Sequence, residues 1–115
     1  MFKSSGGGST KEEKRINFDP EFVEMILKKG KTTTVRRGIK RYPVGKIVEL
    51  TVNYEPFAKA KIERVVVKRV SELTDEDAKR DGFESKEELI NALKKIYGNI
   101  NDNEFVTIVH FSLVE

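Results

Sequence analysis

The sequence predicts an α+β domain, a small and mostly antiparallel β-barrel with helices at one end. Its 115 residues are 37% hydrophobic and 36% charged, which supplies apolar material for one core but not for two. Helical segments and β-branched or alternating segments follow one another in the order α-β-β-β-α-α-β. So few strands with such short connections do not make a doubly wound sheet, and a small barrel fits better.

The first 17 residues differ in composition from the rest of the chain. The segment Ser4–Thr10 consists of serine, glycine and threonine, and charged residues follow it. This composition is typical of flexible linkers, so we expect residues 1–17 to be a disordered polar tail and residues 18–115 to be the folded domain. No apolar run is long enough to span a membrane, and the N-terminus lacks the apolar segment of a signal peptide. We therefore expect a cytoplasmic protein without a membrane partner, and we favour a monomer.

The predicted domain begins with a helix and a short strand. Asp19 is a good N-cap residue and Pro20 suits the first helical position, so we predict a helix over residues 20–29. Gly30 is predicted to adopt the left-handed conformation that ends it. The β-branched segment Thr32–Arg36 predicts a strand.

Two longer strands are predicted in the middle of the chain. Residues 46–54 alternate in character, and Pro56 is expected to break that strand. Residues 59–70 read as a second strand, in which a change of parity predicts a bulge near Glu63–Arg64. The core positions predicted in this strand are Ala60, Ile62, Val65 and Val67.

Two short helices with capping patterns follow. Thr74 and Asp77 form a capping box for the first, which Gly82 ends. Ser85 and Glu88 form a similar box for the second. The residues predicted to form its buried face are Leu89, Ala92, Leu93 and Ile96.

The last predicted strand covers residues 104–114. Its predicted core face carries Phe105, Thr107, Val109, Phe111 and Leu113. His110 lies on the opposite face, and it is the only histidine in a chain without cysteine. These counts exclude multi-histidine and thiolate metal sites. The acidic cluster Asp75–Asp77 lies in the first turn of a helix, where acids are favoured electrostatically, so we expect neither a metal nor a cofactor.

Basic residues are concentrated in one segment. Eight of them and no acidic residue lie between positions 28 and 46: Lys28, Lys29, Lys31, Arg36, Arg37, Lys40, Arg41 and Lys46. A second basic stretch covers residues 59–69. Side by side, the two would form a positive face suited to phosphates. The alternative is the solvated surface of a heat-adapted protein from a thermophile, which the high Lys, Arg and Glu content also fits.

The segment Gly30–Arg37, with sequence GKTTTVRR, carries the functional argument. Its Gly-Lys-Thr is not a phosphate-binding P-loop, because Met25 stands where that motif needs a glycine and a helix precedes it. The chain from residue 18 to residue 115 instead resembles the ASCH domain family of the PUA-like superfamily. The segments that carry this resemblance are Phe18–Phe22, Gly30–Arg36, Tyr42–Lys46, Leu73–Phe83 and Phe105–Leu113. It implies a small PUA-like β-barrel with a cleft at one end and a role related to RNA.

One branch of this family removes the acetyl group from N(4)-acetylcytidine. Resemblance to that branch implies catalytic roles for Lys31, Thr34 and Asp81, with aspartate standing where the branch has glutamate. A threonine hydroxyl becomes a nucleophile when a neighbouring group takes its proton. A lysine can take that proton when burial or a nearby cation lowers its pKa.

Three functions therefore stay open. The leading one is binding of RNA or a modified nucleoside in a cleft that includes Arg36. Tyr42 and Tyr54 flank the basic segment and can each stack on a base, and Tyr42, in its loop, is the better candidate. The loop residues expected to contact phosphates are Arg37, Lys40, Arg41 and Lys46. The second is an amidohydrolase that deacetylates N(4)-acetylcytidine through Thr34 and Lys31. The third is a protein-interaction module without catalysis.

Overall fold

The computed structural model describes residues 14–114, so the predicted disorder of residues 1–13 lies outside the described residues. Within these residues the chain forms five strands and three α-helices. The strands are β1 Arg15–Phe18, β2 Thr33–Arg37, β3 Ile47–Val52, β4 Glu55–Arg69 and β5 Phe105–Leu113. The helices are α1 Val23–Leu27, α2 Asp75–Arg80 and α3 Lys86–Tyr97, with short 3₁₀ turns at Pro20–Phe22 and Val70–Glu72. Within residues 14–114 no helix is long and apolar enough to cross a membrane.

The strands form one mixed sheet in the order β1-β3-β4-β5-β2. Only the pairing of β1 with β3 is parallel, so the predicted α+β fold with a mostly antiparallel sheet is confirmed. The sheet curls into a half-barrel, which brings its two edge strands near each other. Arg36 of β2 reaches across that gap, and its Nη2 donates to the main-chain oxygen of Asn17 in β1 at 2.8 Å.

Strand β1 corrects the predicted start of the folded domain. Residues 15–17 were assigned to the polar tail, but they pair in parallel with β3, and Ile16 lies opposite Leu50. The side chain of Ile16 is buried in the core. Only Ile16 and Phe18 are apolar in this four-residue strand, so its alternation is too short to stand out in a charged segment.

Two apolar cores lie on opposite faces of the sheet. The first includes Phe18, Ile26, Leu50, Ile62 and Phe111, and the second includes Val35, Leu73, Leu89, Leu93 and Ile108. Strand β5 contributes to both, because Val109 belongs to the first core and Val106 to the second. The prediction of one core face for β5 was therefore wrong, and Phe105 is largely exposed.

The bulge in β4 is confirmed, because its register with β5 shifts between Ile62 and Arg64. Ala60 and Ile62 are fully buried as predicted, whereas Val67 is exposed. Pro56 does not break the sheet. It lies at the beginning of β4, where it pairs with Thr51 beside an irregularity in the register, a position that tolerates the missing N–H.

The first helical segment is shorter than the predicted range of 20–29. A 3₁₀ turn over Pro20–Phe22 precedes α1, which ends at Leu27. The left-handed residue after it is Lys29, with φ 65°, and not Gly30.

Helices α2 and α3 follow the predicted caps more closely. Thr74 and Asp77 form a complete capping box, and Gly82 has φ 93° after α2. Ser85 accepts a hydrogen bond from the N–H of Glu88 at the beginning of α3. The Glu88 side chain accepts from the N–H of Glu84 and not from that of Ser85, so the predicted box is only half formed. Ile96 is 56% exposed instead of buried, because this side of α3 faces a cavity.

Candidate functional site

A cavity of about 300 Å³ lies between the two edge strands of the sheet, and α3 lines its other side. Its charged and polar lining residues are Asn17, Asp19, Lys31, Thr34, Arg36 and Asp81. Its aromatic ones are Phe18, Phe22, Tyr54, Phe83 and Tyr97. Apolar walls with a few converging polar groups are typical of small-molecule sites, and this volume is at the lower end of their range. The three residues predicted to be catalytic all line this cavity.

The floor of the cavity is a buried ion pair. Lys31 Nζ donates to Asp81 Oδ1 at 2.8 Å and to the main-chain oxygen of Asp81 at 3.2 Å. Thr33 Oγ1 donates to the same carboxylate oxygen at 3.1 Å. Lys31 is 4% exposed and Asp81 is 5% exposed, so solvent screens their interaction very little.

Two main-chain contacts hold this pair together. The N–H groups of Gly30 and Lys31 both donate to the carbonyl of Met25, which fixes the turn between α1 and β2. The N–H of Thr32 donates to the carbonyl of Arg80 at 2.8 Å, which ties the beginning of β2 to the end of α2. Asp81 follows Arg80 directly, so this bond sets its carboxylate beside Lys31.

Gly82 lets the chain pass closely behind the ion pair. Its φ is +93°, a conformation that L side chains rarely adopt. A Cβ atom there would lie 3.1 Å from the sulfur of Met25 and 3.7 Å from Cβ of Lys31. Asp81 therefore supplies the carboxylate, and the residue after it must be glycine because a side chain there would be strained and crowded.

Burial shifts the proton affinities of the pair in opposite directions. Burial lowers the pKa of Lys31, and the nearby Arg36 adds to this, while Asp81 acts against it. Burial raises the pKa of Asp81, against the hydrogen bonds from Lys31 and Thr33. Burial therefore disfavours the charged form of each group, and the contact between the two groups opposes that effect.

Thr34 and Arg36 form the side of the cavity next to this floor. Arg36 Nε donates to Thr34 Oγ1 at 3.0 Å, so the hydroxyl oxygen is oriented and its own hydrogen can be donated elsewhere. The guanidinium carbon of Arg36 lies 5.3 Å from the centre of the Phe18 ring. Lys31 and Thr34 line the same cavity because Lys31 lies in the turn before β2 and not in the strand.

The Lys31 ammonium also faces aromatic rings. Its Nζ is 5.0 Å from the centre of the Phe22 ring and 5.8 Å from that of Phe18. Phe22 and Phe83 contact edge to face, with their centres 6.4 Å apart. These rings exclude water from the floor and favour the cationic form of Lys31, partly offsetting its burial.

The predicted phosphate-binding loop is only partly at the cavity. Arg37 pairs with Glu104, Nη2 to Oε1 at 2.7 Å, and is not available to a ligand in that arrangement. Lys40, Arg41 and Lys46 are exposed, and Lys40 borders a cavity that adjoins the first.

Tyr42 does not lie where base stacking requires it. It is 8% exposed and packs in the first apolar core, with part of it bordering that adjoining cavity. The sequence-based choice of Tyr42 over Tyr54 is not supported, because Tyr54 is 77% exposed and lines the main cavity. Tyr42 lies in a Pro- and Gly-containing loop, but the loop folds back over the sheet and buries the ring.

Asn17 and Thr33 are site residues that the sequence analysis did not select. The side-chain oxygen of Asn17 accepts from Thr51 Oγ1 at 2.8 Å and from the N–H of Tyr54 at 2.9 Å. Both residues act through contacts with distant parts of the chain, so no local pattern marks them. Among residues 14–114 no three acidic or histidine side chains are close enough to hold a metal ion.

The sequence profile of the ASCH domain matches residues 13–115, so the chain belongs to the ASCH domain family. The match begins two residues before β1, in agreement with the folded strand there. No curated protein sequence matches the chain significantly.

Solved structures agree with this assignment. The ASCH domain from Lactobacillus crispatus is similar with a TM-score of 0.73 and 14% identity, over 95% of this chain and 85% of that one. ASCH from Zymomonas mobilis is similar with a TM-score of 0.62 and 20% identity, over 85% of this chain and 65% of that one. At these identities the likeness shows that the fold is shared.

Proposed function

We propose that the cavity binds the base of a nucleoside-containing ligand, either RNA or a modified nucleoside. The observation that carries this proposal is the combination of aromatic walls with oriented hydrogen-bonding groups in one small cavity. A nucleobase is flat and apolar on its faces and polar at its edges, so it matches both features. The link between ASCH domains and RNA binding points the same way.

The polar groups are suited to reading the edge of a base. Arg36 Nη1 makes no hydrogen bond within residues 14–114, and the Thr34 hydroxyl has a hydrogen to donate. The carboxylate of Asp81 can accept a hydrogen bond from an exocyclic amine. A base held this way would lie between the rings of the cavity walls, with its sugar toward the open side near Tyr54.

Titration of the labelled protein with cytidine, N(4)-acetylcytidine, uridine and adenosine, followed by amide NMR shifts, tests this proposal. We expect at least one nucleoside to shift the amides of residues 31–36 and 81–83. Thr34→Val should weaken that binding about tenfold, since one hydrogen bond in a desolvated site is lost. Thr32→Val is the matched control, because Thr32 is exposed and does not line this cavity. Absence of shifts with all four nucleosides would refute the proposal.

An amidohydrolase is the second candidate, favoured by the buried Lys31–Asp81 pair beside the Thr34 hydroxyl. In this reaction Lys31 first gives a proton to Asp81 or to solvent and becomes a neutral amine. Thr34 Oγ then attacks the acetyl carbon while its proton passes to Lys31, either directly or through bound water. The C–N bond then breaks, the proton goes to the leaving amine, and cytidine departs. Water hydrolyses the threonyl ester and releases acetate. Arg36 is positioned to stabilise the negative oxygen of the tetrahedral intermediate.

Incubation with N(4)-acetylcytidine at elevated temperature tests this candidate by the appearance of cytidine. We expect Thr34→Ala to abolish the reaction and Thr32→Ala to leave it unchanged. Asp81→Glu should raise the rate, since the related amidohydrolases carry glutamate there. If wild type and Thr34→Ala release cytidine at the same background rate, the chain is a binding module and not this enzyme.

A further inference from the structure

A second cavity of about 420 Å³ adjoins the first one. Asn17, Arg36, Tyr54 and Tyr97 line both, so a ligand in one can continue into the other. The guanidinium of Arg36 lies at the boundary, where Nε and Nη2 are bonded to the protein and Nη1 is left for a ligand.

The charge of the second cavity differs from that of the first. Among residues 14–114, the charged residues that line it are Arg15, Arg36 and Lys40, and none of its lining residues is acidic. Arg15 forms an exposed ion pair with Glu49 at 3.1 Å, so its charge is partly balanced. Within residues 14–114 the Lys40 ammonium has no ion pair, and its main chain is fixed because its N–H donates to Thr107 Oγ1 at 2.9 Å. The second cavity therefore suits an anionic group.

Tyr54 stands at the mouth of both cavities on a strained turn. Strands β3 and β4 are joined by the two residues Asn53 and Tyr54, whose φ angles are 52° and 65°. Hairpin turns of this type favour glycine at the second position, because a side chain there is strained. The Asn17 amide oxygen holds the turn through the N–H of Tyr54. A 77% exposed tyrosine kept in a strained conformation has no packing role that explains it.

We propose that the ligand is a single strand of RNA and not a free nucleoside. One base occupies the first cavity, as the proposed function requires, and the adjoining phosphate lies in the second cavity against Arg36 and Lys40. The next base stacks on the Tyr54 ring. This inference rests on the proposed function and adds the class of ligand, a polynucleotide, and the direction in which it leaves the cavity.

Fluorescence anisotropy with labelled RNA hexamers of C, U and A, compared with the free nucleosides by NMR, tests the inference. At least one hexamer should bind more tightly than its nucleoside. Lys40→Ala should weaken hexamer binding about fivefold at low salt and reduce the salt slope by about 0.7, the contribution of one phosphate contact. Lys79→Ala is the matched control, because it removes the same charge from an exposed position that borders neither cavity.

Tyr54→Gly provides a second test of hexamer binding, in which the charge of the protein does not change. It should weaken hexamer binding about tenfold without lowering the melting temperature. Lys40→Ala should not reduce nucleoside binding by more than about twofold, because Lys40 borders only the second cavity. The inference is overturned, with the proposed function intact, if nucleosides bind while hexamers bind no better, or if both variants match Lys79→Ala. If the wild-type protein binds neither the nucleosides nor the hexamers, both the inference and the proposed function are overturned.

Discussion

At the scale of single residues, the Lys31–Asp81 pair is the feature that stability alone does not explain. Both side chains are almost fully buried, and removing two charges from water costs more free energy than their attraction usually returns. The hydrogen bonds from Lys31 and Thr33 to the carboxylate lower that cost without abolishing it. The position of this pair in the floor of a cavity therefore supports the proposed role in binding or chemistry.

Double-mutant analysis distinguishes this interpretation from a structural role. Lys31→Met and Asp81→Leu should each lower the free energy of unfolding by about 3–5 kcal/mol, because each leaves one buried charge unpaired. The double variant should lie within about 1 kcal/mol of wild type or exceed it, although it loses ligand binding. Urea denaturation measures all three.

The exposed pair of Lys28 and Glu24, 3.0 Å apart, provides the control for that cycle. Lys28→Met should change the free energy of unfolding by no more than about 0.5 kcal/mol, since exposed pairs contribute little. Additive losses in the buried double variant would show instead that the pair stabilises the fold.

At the scale of elements, the beginning of α2 carries the clearest pH dependence. Asp77 is buried, which raises its pKa, but the hydrogen bonds from Lys68 and Thr74 outweigh burial and lower the pKa below its usual value. A carboxyl with a lowered folded-state pKa stabilises the fold above its unfolded pKa of about 3.9, and this contribution is lost as the pH falls further. Asp77→Asn should therefore lose stability at pH 7 and show a flatter decline below about pH 4. Urea denaturation at several pH values measures this free energy of unfolding. If it declines as steeply with falling pH in Asp77→Asn as in wild type, other groups cause the acid sensitivity.

The β3–β4 turn makes a second prediction at this scale. Tyr54→Gly should leave the free energy of unfolding unchanged or raise it by up to about 1 kcal/mol, because relief of the left-handed strain outweighs the added entropy of the unfolded chain. Gly45→Ala is the opposite change, at φ +85° with nothing within 4 Å of the new Cβ, and should cost about 1–2 kcal/mol. Thermal melts measure both. Destabilisation by Tyr54→Gly would mean that the ring packs against its surroundings and is not kept for a ligand.

Local patterns predicted the elements that depend on local interactions. The capping box at Thr74, the cap at Ser85 and the bulge after Ile62 were predicted correctly, since each is encoded within a few residues. Strand β1 was missed because four residues with two apolar positions form a strand only by pairing with β3. Tyr42 was assigned to a ligand because its burial depends on where the following loop folds.

The sequence likewise predicted part of the candidate site. Family resemblance selected Lys31, Thr34 and Asp81, and the fold brings all three to one cavity. The sequence favours Tyr42 over Tyr54 for stacking and does not select Asn17, because the position of Asn17 and Tyr54 at the cavity arises from the approach of two sheet edges that are distant in sequence.

At the scale of the whole molecule, the cavity exists because the sheet stops short of closing. Strands β1 and β2 are the two edges, and they are not hydrogen-bonded neighbours in the sheet. Arg36 joins them, with Nε on Thr34 and Nη2 on the carbonyl of Asn17. One side chain therefore joins the two edges of the sheet and also lines the cavity between them.

Replacement of Arg36 by lysine tests this bridge with the charge retained. A lysine cannot bond both edges at once in the fork geometry of a guanidinium, so Arg36→Lys should lower the free energy of unfolding by about 1.5–3 kcal/mol. Hydrogen exchange should accelerate at the amides of β1 and β2 and stay unchanged at those in the middle of β4. Arg41→Lys, at an exposed position, should change stability by no more than about 0.5 kcal/mol. If Arg36→Lys is as stable as wild type and its edge amides stay protected, apolar packing by Phe18 and α3 holds the two edges, and Arg36 is free to move toward a bound phosphate.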